Sequence, residues 1–180
     1  MKYLFFIPLL TTVLSASMSE KIFELYQKEL YAQGCSLGLK EFQNYRNDEP
    51  FISLYAFSCL KNDQIDALAL PSSLLNQSAE ARANAAYFSL LILQKKLLLQ
   101  ALYDNKPIIH LKLPVSSHLL SKIFDLYLKH PQKEVFIKEY KDPLTPRLTY
   151  KLYTIQSNHH KTIAIDEYYD KILTHHHVYE

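Results

Sequence analysis

Residues 78–105 read SAEARANAAYFSLLILQKKLLLQALYDN, and this stretch decides the fold. Ala, Leu, Gln, Lys and Arg dominate it, all good helix formers, and neither Pro nor Gly interrupts it. Ser78 is placed to cap the N-terminus, and Glu80 in the first turn suits the positive end of the helix dipole. Asp104-Asn105, with Pro107 following, ends the helix. At the usual rise per residue it is about 40 Å long, the width of a small domain. Arg82, Ser89, Lys96 and Gln100 fall on one narrow polar stripe, while most other positions from Ala85 to Leu102 are apolar. Other elements should therefore cover this helix on several sides and leave that stripe to water. Ser89 and Gln94-Lys95-Lys96 break the apolar runs, so a core helix is expected here, with no membrane span in the mature chain.

Before this helix, residues 19 to about 46 carry Ile22, Phe23, Tyr26, Leu30 and Leu37 at near-helical spacing. Asn47-Asp48-Glu49-Pro50 breaks the pattern, and a second helix should run from Pro50 to about Leu70, ended by Pro71-Ser72-Ser73. The two make an antiparallel hairpin. Cys35 lies twelve residues before Asn47 and Cys59 twelve after it, so the two are level across the hairpin. A disulfide needs Cα atoms about 4.4–6.8 Å apart, closer than packed helices usually come. Small residues sit where that approach demands them: Ala32 and Gly38 about one turn from Cys35, Ala56 about one turn from Cys59. A structural Cys35–Cys59 disulfide is therefore expected, and a redox role is not, because no C-x-x-C is present. Paired helices invite a helical-repeat reading, but the tetratricopeptide pattern aligns around neither Gly34 nor Gly38.

After Pro107 the texture changes. Ile108–Leu113 alternates and reads as a strand ended by Pro114. Ser116 or Ser117 should cap a helix to about His130, with Leu119, Leu120, Ile123, Phe124 and Tyr127 on one side. Three strands, Glu134–Lys141, Arg147–Gln156 and Lys161–Tyr168, follow, with Ile172–Tyr179 as a last strand or ordered tail. Short connections favour an antiparallel meander. The expected class is α+β: a disulfide-stapled helical hairpin and long central helix over residues 18–106, then a small antiparallel sheet with one helix over 107–180, packed as one unit.

Met1-Lys2, the apolar YLFFIPLLTTVL and Ser15-Ala16-Ser17 have the form of a signal peptide over residues 1–17, with cleavage after Ser17. Export and two cysteines together imply a periplasmic or secreted protein in an oxidising compartment. Net charge is +2, so no electrostatic footprint for nucleic acid and no polybasic run for anionic lipid appear. Gly34 and Gly38 are the only glycines in 180 residues. A Walker loop and a Rossmann fingerprint cannot be assembled from them, and the G-x-S-x-G elbow is absent. Asn76-Gln77-Ser78 matches a glycosylation sequon, relevant only in a glycosylating host.

All eight histidines, His110, His118, His130, His159, His160 and His175-His176-His177, lie in the C-terminal half, away from both cysteines. A mixed Cys/His zinc site is thereby disfavoured. A His and carboxylate site would use His159, His160, His175 and His177, with Asp166, Glu167 and Asp170 near in sequence; His175 and His177 would point the same way on a strand. No H-E-x-x-H is present, and no cofactor is expected unless a transition metal binds there. Of the fourteen tyrosines, Tyr150, Tyr153, Tyr168 and Tyr169 lie in the sheet half and offer a binding surface, each with an apolar body and a polar tip. The leading expectation is a non-enzymatic envelope interaction or assembly module with another envelope protein or peptide as partner. A periplasmic metal-binding protein is the alternative, and a small hydrolase with no readable motif the third.

Overall fold

The computed structural model describes residues 17–108, 110–130, 136–157 and 160–179. Of the expected leader, residues 1–17, all but Ser17 lie outside them. Six helices and a four-stranded antiparallel sheet make an α+β fold: α1 (Met18–Gln27), α2 (Tyr31–Glu41), α3 (Glu49–Lys61), α4 (Ala69–Leu74), α5 (Ala79–Tyr103), α6 (Leu119–Lys129), then β1 (Lys138–Lys141), β2 (Leu148–Ser157), β3 (His160–Tyr169) and β4 (Ile172–Tyr179).

The first helical stretch is two helices, not one. Glu29 takes a left-handed backbone conformation (φ 57°) between α1 and α2, and no side chain caps the start of α2. Periodicity carried across this break because Ile22, Phe23 and Tyr26 before it and Leu30 and Leu37 after it keep near-helical spacing. Ser17 caps α1 through a reciprocal pair: its Oγ accepts from Glu20 N (3.2 Å) and its own N–H donates to Glu20 Oε2 (2.7 Å). Cleavage after Ser17 would remove that cap.

The second stretch also divides. Asp48 caps α3, with its Oδ1 accepting from Phe51 N at 3.0 Å, and Pro50 sits in the first turn. The helix stops at Lys61, where Asp63 turns left-handed (φ 59°). A 3-10 turn (Asp66–Leu68) leads into α4, and Pro71 lies in the first turn of α4 instead of ending a helix. A proline N–H is not needed there. Glu49 at the head of α3 accepts from the backbone of Asn76, Gln77 and Ser78, which fixes the entry to α5. Asn76 of the sequon is exposed.

The hairpin is α2 against α3, and Cys35–Cys59 joins it with Cα atoms 4.6 Å apart. Both cysteines are buried. The two glycines are what let the helices approach. A Cβ on Gly38 would lie 2.3 Å from the Tyr55 ring, and one on Gly34 would lie 2.8 Å from Ser58 Oγ. Tyr55 and Ser58 are themselves buried, so neither has room to withdraw.

α5 is covered as its composition requires. Ala81, Phe88, Leu91, Leu98 and Ala101 are buried against α4, α6 and the sheet, and fully burying each large apolar side chain contributes about 1.5–3 kcal/mol. Arg82, Ser89, Lys96 and Gln100 are all exposed, joined on the same stripe by Ala86 and Leu93. By length and composition α5 would suffice to cross a bilayer. Gln94 and Lys95, which break its apolar run, are buried, and each makes a polar contact across a junction, although Gln94 Oε1 has no hydrogen-bond partner among the described residues. Gln94 Nε2 donates to the Pro114 carbonyl (3.1 Å), and Lys95 Nζ pairs with Asp66 (3.1 Å).

Among the described residues of 108–113 none is in a strand. None of them joins the sheet, whose edges are β1 and β4, and His110 turns left-handed (φ 57°), which breaks the alternation. Leu111 and Leu113 still pack on the core, so the apolar positions were right and the pairing was not. α6 is capped by His118, whose Nδ1 accepts from Leu120 N (3.2 Å), instead of by Ser116 or Ser117.

The sheet is a meander in the order β1-β2-β3-β4. Its expected first strand begins only at Lys138; residues 131–135 lie outside the described ones. The inner face, including Tyr140, Tyr150, Leu152, Ile163, Ile165 and Tyr179, is buried. One polar triad fastens it to α6. Lys122 Nζ donates to Asp142 Oδ2 (2.9 Å) and lies 3.2 Å from the Tyr150 hydroxyl, which donates to the same carboxylate oxygen at 2.7 Å. Burial opposes ionisation of Asp142, but Tyr150, Lys122 and the backbone N–H groups of Leu144 and Thr145 hold its carboxyl far below the usual range. Burial, with the carboxylate beside it, pushes Tyr150 up to about 12.

If the hairpin depends on close approach, Gly38→Ala should destabilise the oxidised protein by about 1–3 kcal/mol through overpacking against Tyr55. Reducing the disulfide should cost about 3 kcal/mol. The Gly38→Ala penalty should shrink once the staple is reduced, because α2 is then free to move off α3. Urea unfolding of both proteins with and without reductant measures this; an equal penalty in both states would separate the glycine from the staple.

Candidate functional site

Register in the sheet decides which side chains meet. Glu139, Lys151, Asp166 and His176 are successive cross-strand partners, one from each strand, so they form a single row on the outer face. Lys151 Nζ is 3.3 Å from Glu139 Oε1, and His176 Nδ1 is 2.6 Å from Asp166 Oδ1. Charge thus alternates in sign from Glu139 through Lys151 to Asp166, and His176 ends the row. Asp166 is its centre: the Tyr153 hydroxyl reaches both carboxylate oxygens at 3.3 Å and the Tyr168 hydroxyl reaches Oδ2 at 3.4 Å. Lys151 Nζ also lies over the Tyr168 ring, 5.0 Å from its centroid. The carboxylate is nearly buried (8%) on a face no helix covers, because this aromatic and imidazole collar encloses it.

The residues expected as a tyrosine surface do not stay together. Tyr153 and Tyr168 meet at Asp166. Tyr150 is fully buried on the inner face, held in the Lys122–Asp142 triad, and is not a surface residue. Period-2 alternation puts Tyr150 on the face opposite Tyr153. Tyr169 stands at the end of the sheet with the Arg147 guanidinium over its ring.

Of the expected metal ligands, His159 lies outside the described residues and His160 opens β3. His175 and His177 do share a face, their rings stacked at 6.1 Å. That face looks toward the helical half. His177 Nδ1 is 2.8 Å from Asp63 Oδ2, in the left-handed turn after α3, and its Nε2 is 3.3 Å from Glu167 Oε1. His175 Nδ1 approaches the same Glu167 oxygen at 3.7 Å. Both ring nitrogens of His177 are therefore occupied by carboxylates. Among the described residues, no group of three or more His, Cys, Asp or Glu is arranged to hold a metal ion. Asp63 joins this cluster from a hundred residues away, so nothing in the local sequence pointed to it. Asp166 and His176 were legible only once the register was known.

The junction around His177 is a set of coupled groups. Asp63 and Lys61 face it from the end of α3, His118 from the cap of α6, Glu167 from β3, and His175 and Tyr179 from β4. The hydrogen bond to Asp63 raises the His177 pKa against the effect of burial, with Glu167 adding to it. His118 goes the other way: burial lowers it to about 4, and the charges of His177 and Lys61 act in the same direction. Its Nδ1 must stay unprotonated to accept from Leu120 N and cap α6.

Two open grooves are described. One, of about 370 Å³, lies beside the C-terminal turns of α5 and is lined by Leu93, Lys96, Leu97, Gln100, Tyr103 and Lys161. The other, of about 400 Å³, lies between the first turns of α3 and α5. Neither is lined by a histidine. The outward His–carboxylate pair Asp166–His176 lies on the outer face of the sheet and lines neither groove. Family models, curated proteins and solved structures were all compared with the chain, and none matches it.

The two histidines set opposite limbs of a stability profile. His118 is depressed when folded, so protonation favours unfolding as pH falls from the ordinary value of about 6.5 toward about 4, a loss on the order of 3 kcal/mol. His177 is raised, so its stabilisation is complete below about 6.5 and is lost as pH rises through its folded value. The contribution of this pair should be largest near the ordinary histidine value. In thermal melts across pH, His118→Asn, which keeps a capping acceptor, should flatten the acid limb and His177→Gln the other. Unchanged limbs in both variants would remove the junction as their cause.

Proposed function

We propose that this is a non-catalytic interaction or assembly protein of an oxidising compartment. It recognises another envelope protein or peptide with the open face of its sheet, around Asp166. The observation that carries this reading is the convergence of Tyr153, Tyr168 and His176 on one nearly enclosed carboxylate, on a face that no helix covers. Such a cluster is costly to leave without purpose on an outer face, since aromatic side chains with polar tips suit interfaces better than bulk water. The row Glu139–Lys151–Asp166 supplies alternating charge across three strands, with the His176 imidazole at its end, which suits a partner strand or loop of matching alternation.

The compartment follows from chemistry. A buried disulfide between level helices persists where thiols are oxidised, and the apolar leader at residues 1–17 is the route there. We read the mature protein as periplasmic or secreted.

Capture from an envelope fraction tests this reading when it is run against face variants. Tyr153→Ala/Tyr168→Ala should lose a partner that the wild type retains, while thermal stability falls by less than about 1 kcal/mol because both rings are only half-buried. A partner retained equally by both proteins, or no partner retained by the wild type, would retire the sheet face as the recognition surface.

A further inference from the structure

The end of the sheet where β1 passes to β2 and β3 to β4 is built unlike the rest of the surface. Leu148, Tyr169 and Ile172 are in register there, which brings the 142–147 loop and the 170–171 turn to the same end. Four apolar side chains stand out into solvent here: Leu144 on the 142–147 loop (90% exposed), and Tyr169 (41%), Ile172 (70%) and Leu173 (50%) on the strand ends beside the turn. Single exposed apolar residues are ordinary, but four at one end of a sheet are not.

Their exposure is fixed by the fold. Asp142 Oδ1 accepts from both Leu144 N (2.9 Å) and Thr145 N (2.8 Å), and the same carboxylate is anchored inward by Lys122 and Tyr150. Arg147 forks onto Asp170, which closes the second turn against the first, and Asp170 N donates to the Arg147 carbonyl at 3.0 Å. The Arg147 guanidinium also lies 4.7 Å from the Tyr169 ring centroid. Charge at this end has one outward sign. Asp142 is buried and paired, Asp170 is neutralised by Arg147, and Lys141 and Lys171 are exposed. Consecutive residues carry no basic run, so only the fold assembles this set.

We infer that this end of the sheet docks on an anionic lipid bilayer. Leu144, Ile172 and Leu173 enter the interface, Tyr169 lies at headgroup level, and Lys141 and Lys171 pair with anionic headgroups. Charge complementarity selects this occupant: two exposed lysines, Lys141 and Lys171, beside projecting apolar side chains match a negatively charged surface over an apolar interior. A projecting tip also suits a deformable surface better than a preformed pocket. Leu173 is the cross-strand partner of Tyr168, so this end of the sheet adjoins the Asp166 cluster.

The chain has no tryptophan, so Leu144→Trp makes a unique reporter at the tip and Leu39→Trp, at a position 61% exposed on α2, makes its control. Vesicles of phosphatidylcholine mixed with phosphatidylglycerol are compared with phosphatidylcholine alone, using the full chain with its fold checked by circular dichroism. Leu144→Trp emission should shift to the blue with the anionic vesicles while Leu39→Trp stays unchanged. Adding Lys141→Glu/Lys171→Glu should weaken the vesicle partition by roughly tenfold. No shift at 144, an equal shift at both positions, or an equal response to neutral vesicles would overturn the inference. So would a concentration-dependent shift without lipid, which would assign the tip to a second copy of the chain.

Discussion

A helix that is apolar on most of its circumference cannot stand at the edge of a domain, and that constraint organises this protein. The 25 residues of α5 require neighbours on nearly every side, and they obtain them from elements before and after it in the chain. The Gln94–Pro114 and Lys95–Asp66 contacts fix where those neighbours sit. A hydrophobic surface alone would accept them in several positions. A buried ammonium or amide has few satisfactory arrangements, so leaving it unpaired is costly and position becomes specific.

The same division of labour recurs at each junction. Apolar burial supplies the driving force, and one polar contact between residues distant in sequence sets the alignment. Lys122 with Asp142 and Tyr150 aligns α6 on the sheet, and His177 with Asp63 aligns β4 on the turn after α3. The disulfide plays this part within the hairpin, where Gly34 and Gly38 remove the side chains that would otherwise keep α2 and α3 at ordinary separation.

Local rules recovered what is local. Composition and caps located α5, level spacing from the turn found the Cys35–Cys59 pair, and strand-forming residues joined by short connections found the meander. Breaks made by left-handed residues escaped, because Glu29, Asp63 and His110 are not glycines and keep the surrounding periodicity intact. The strand assigned to Ile108–Leu113 failed for another reason: alternation reports which side chains are buried, not whether a backbone partner exists. The candidate site was less legible still. Tyr150 and Tyr153 looked equivalent as members of a tyrosine cluster, yet an odd offset along one strand sends the first into the core and leaves the second on the face. Asp63 contributes to the His177 junction only through the docking of distant elements.

The three consecutive histidines of β4 show how a strand splits one composition into two roles. His177, and more loosely His175, face the helical half and take part in holding it, whereas His176 faces outward and completes the collar of Asp166. A metal tract would need these rings to converge, and alternation sends the middle one away. The outward row that His176 terminates alternates in sign over three strands, Glu139, Lys151 and Asp166, before it reaches the imidazole. Closely spaced charges of opposite sign exert little attraction beyond a Debye length, so the row cannot steer a partner from a distance. What it can do is reject a partner whose charges fall out of step, since a shift by one strand brings like charges together. On this face the physical properties favour selection by register over speed of encounter, which suits a partner already confined to the same compartment.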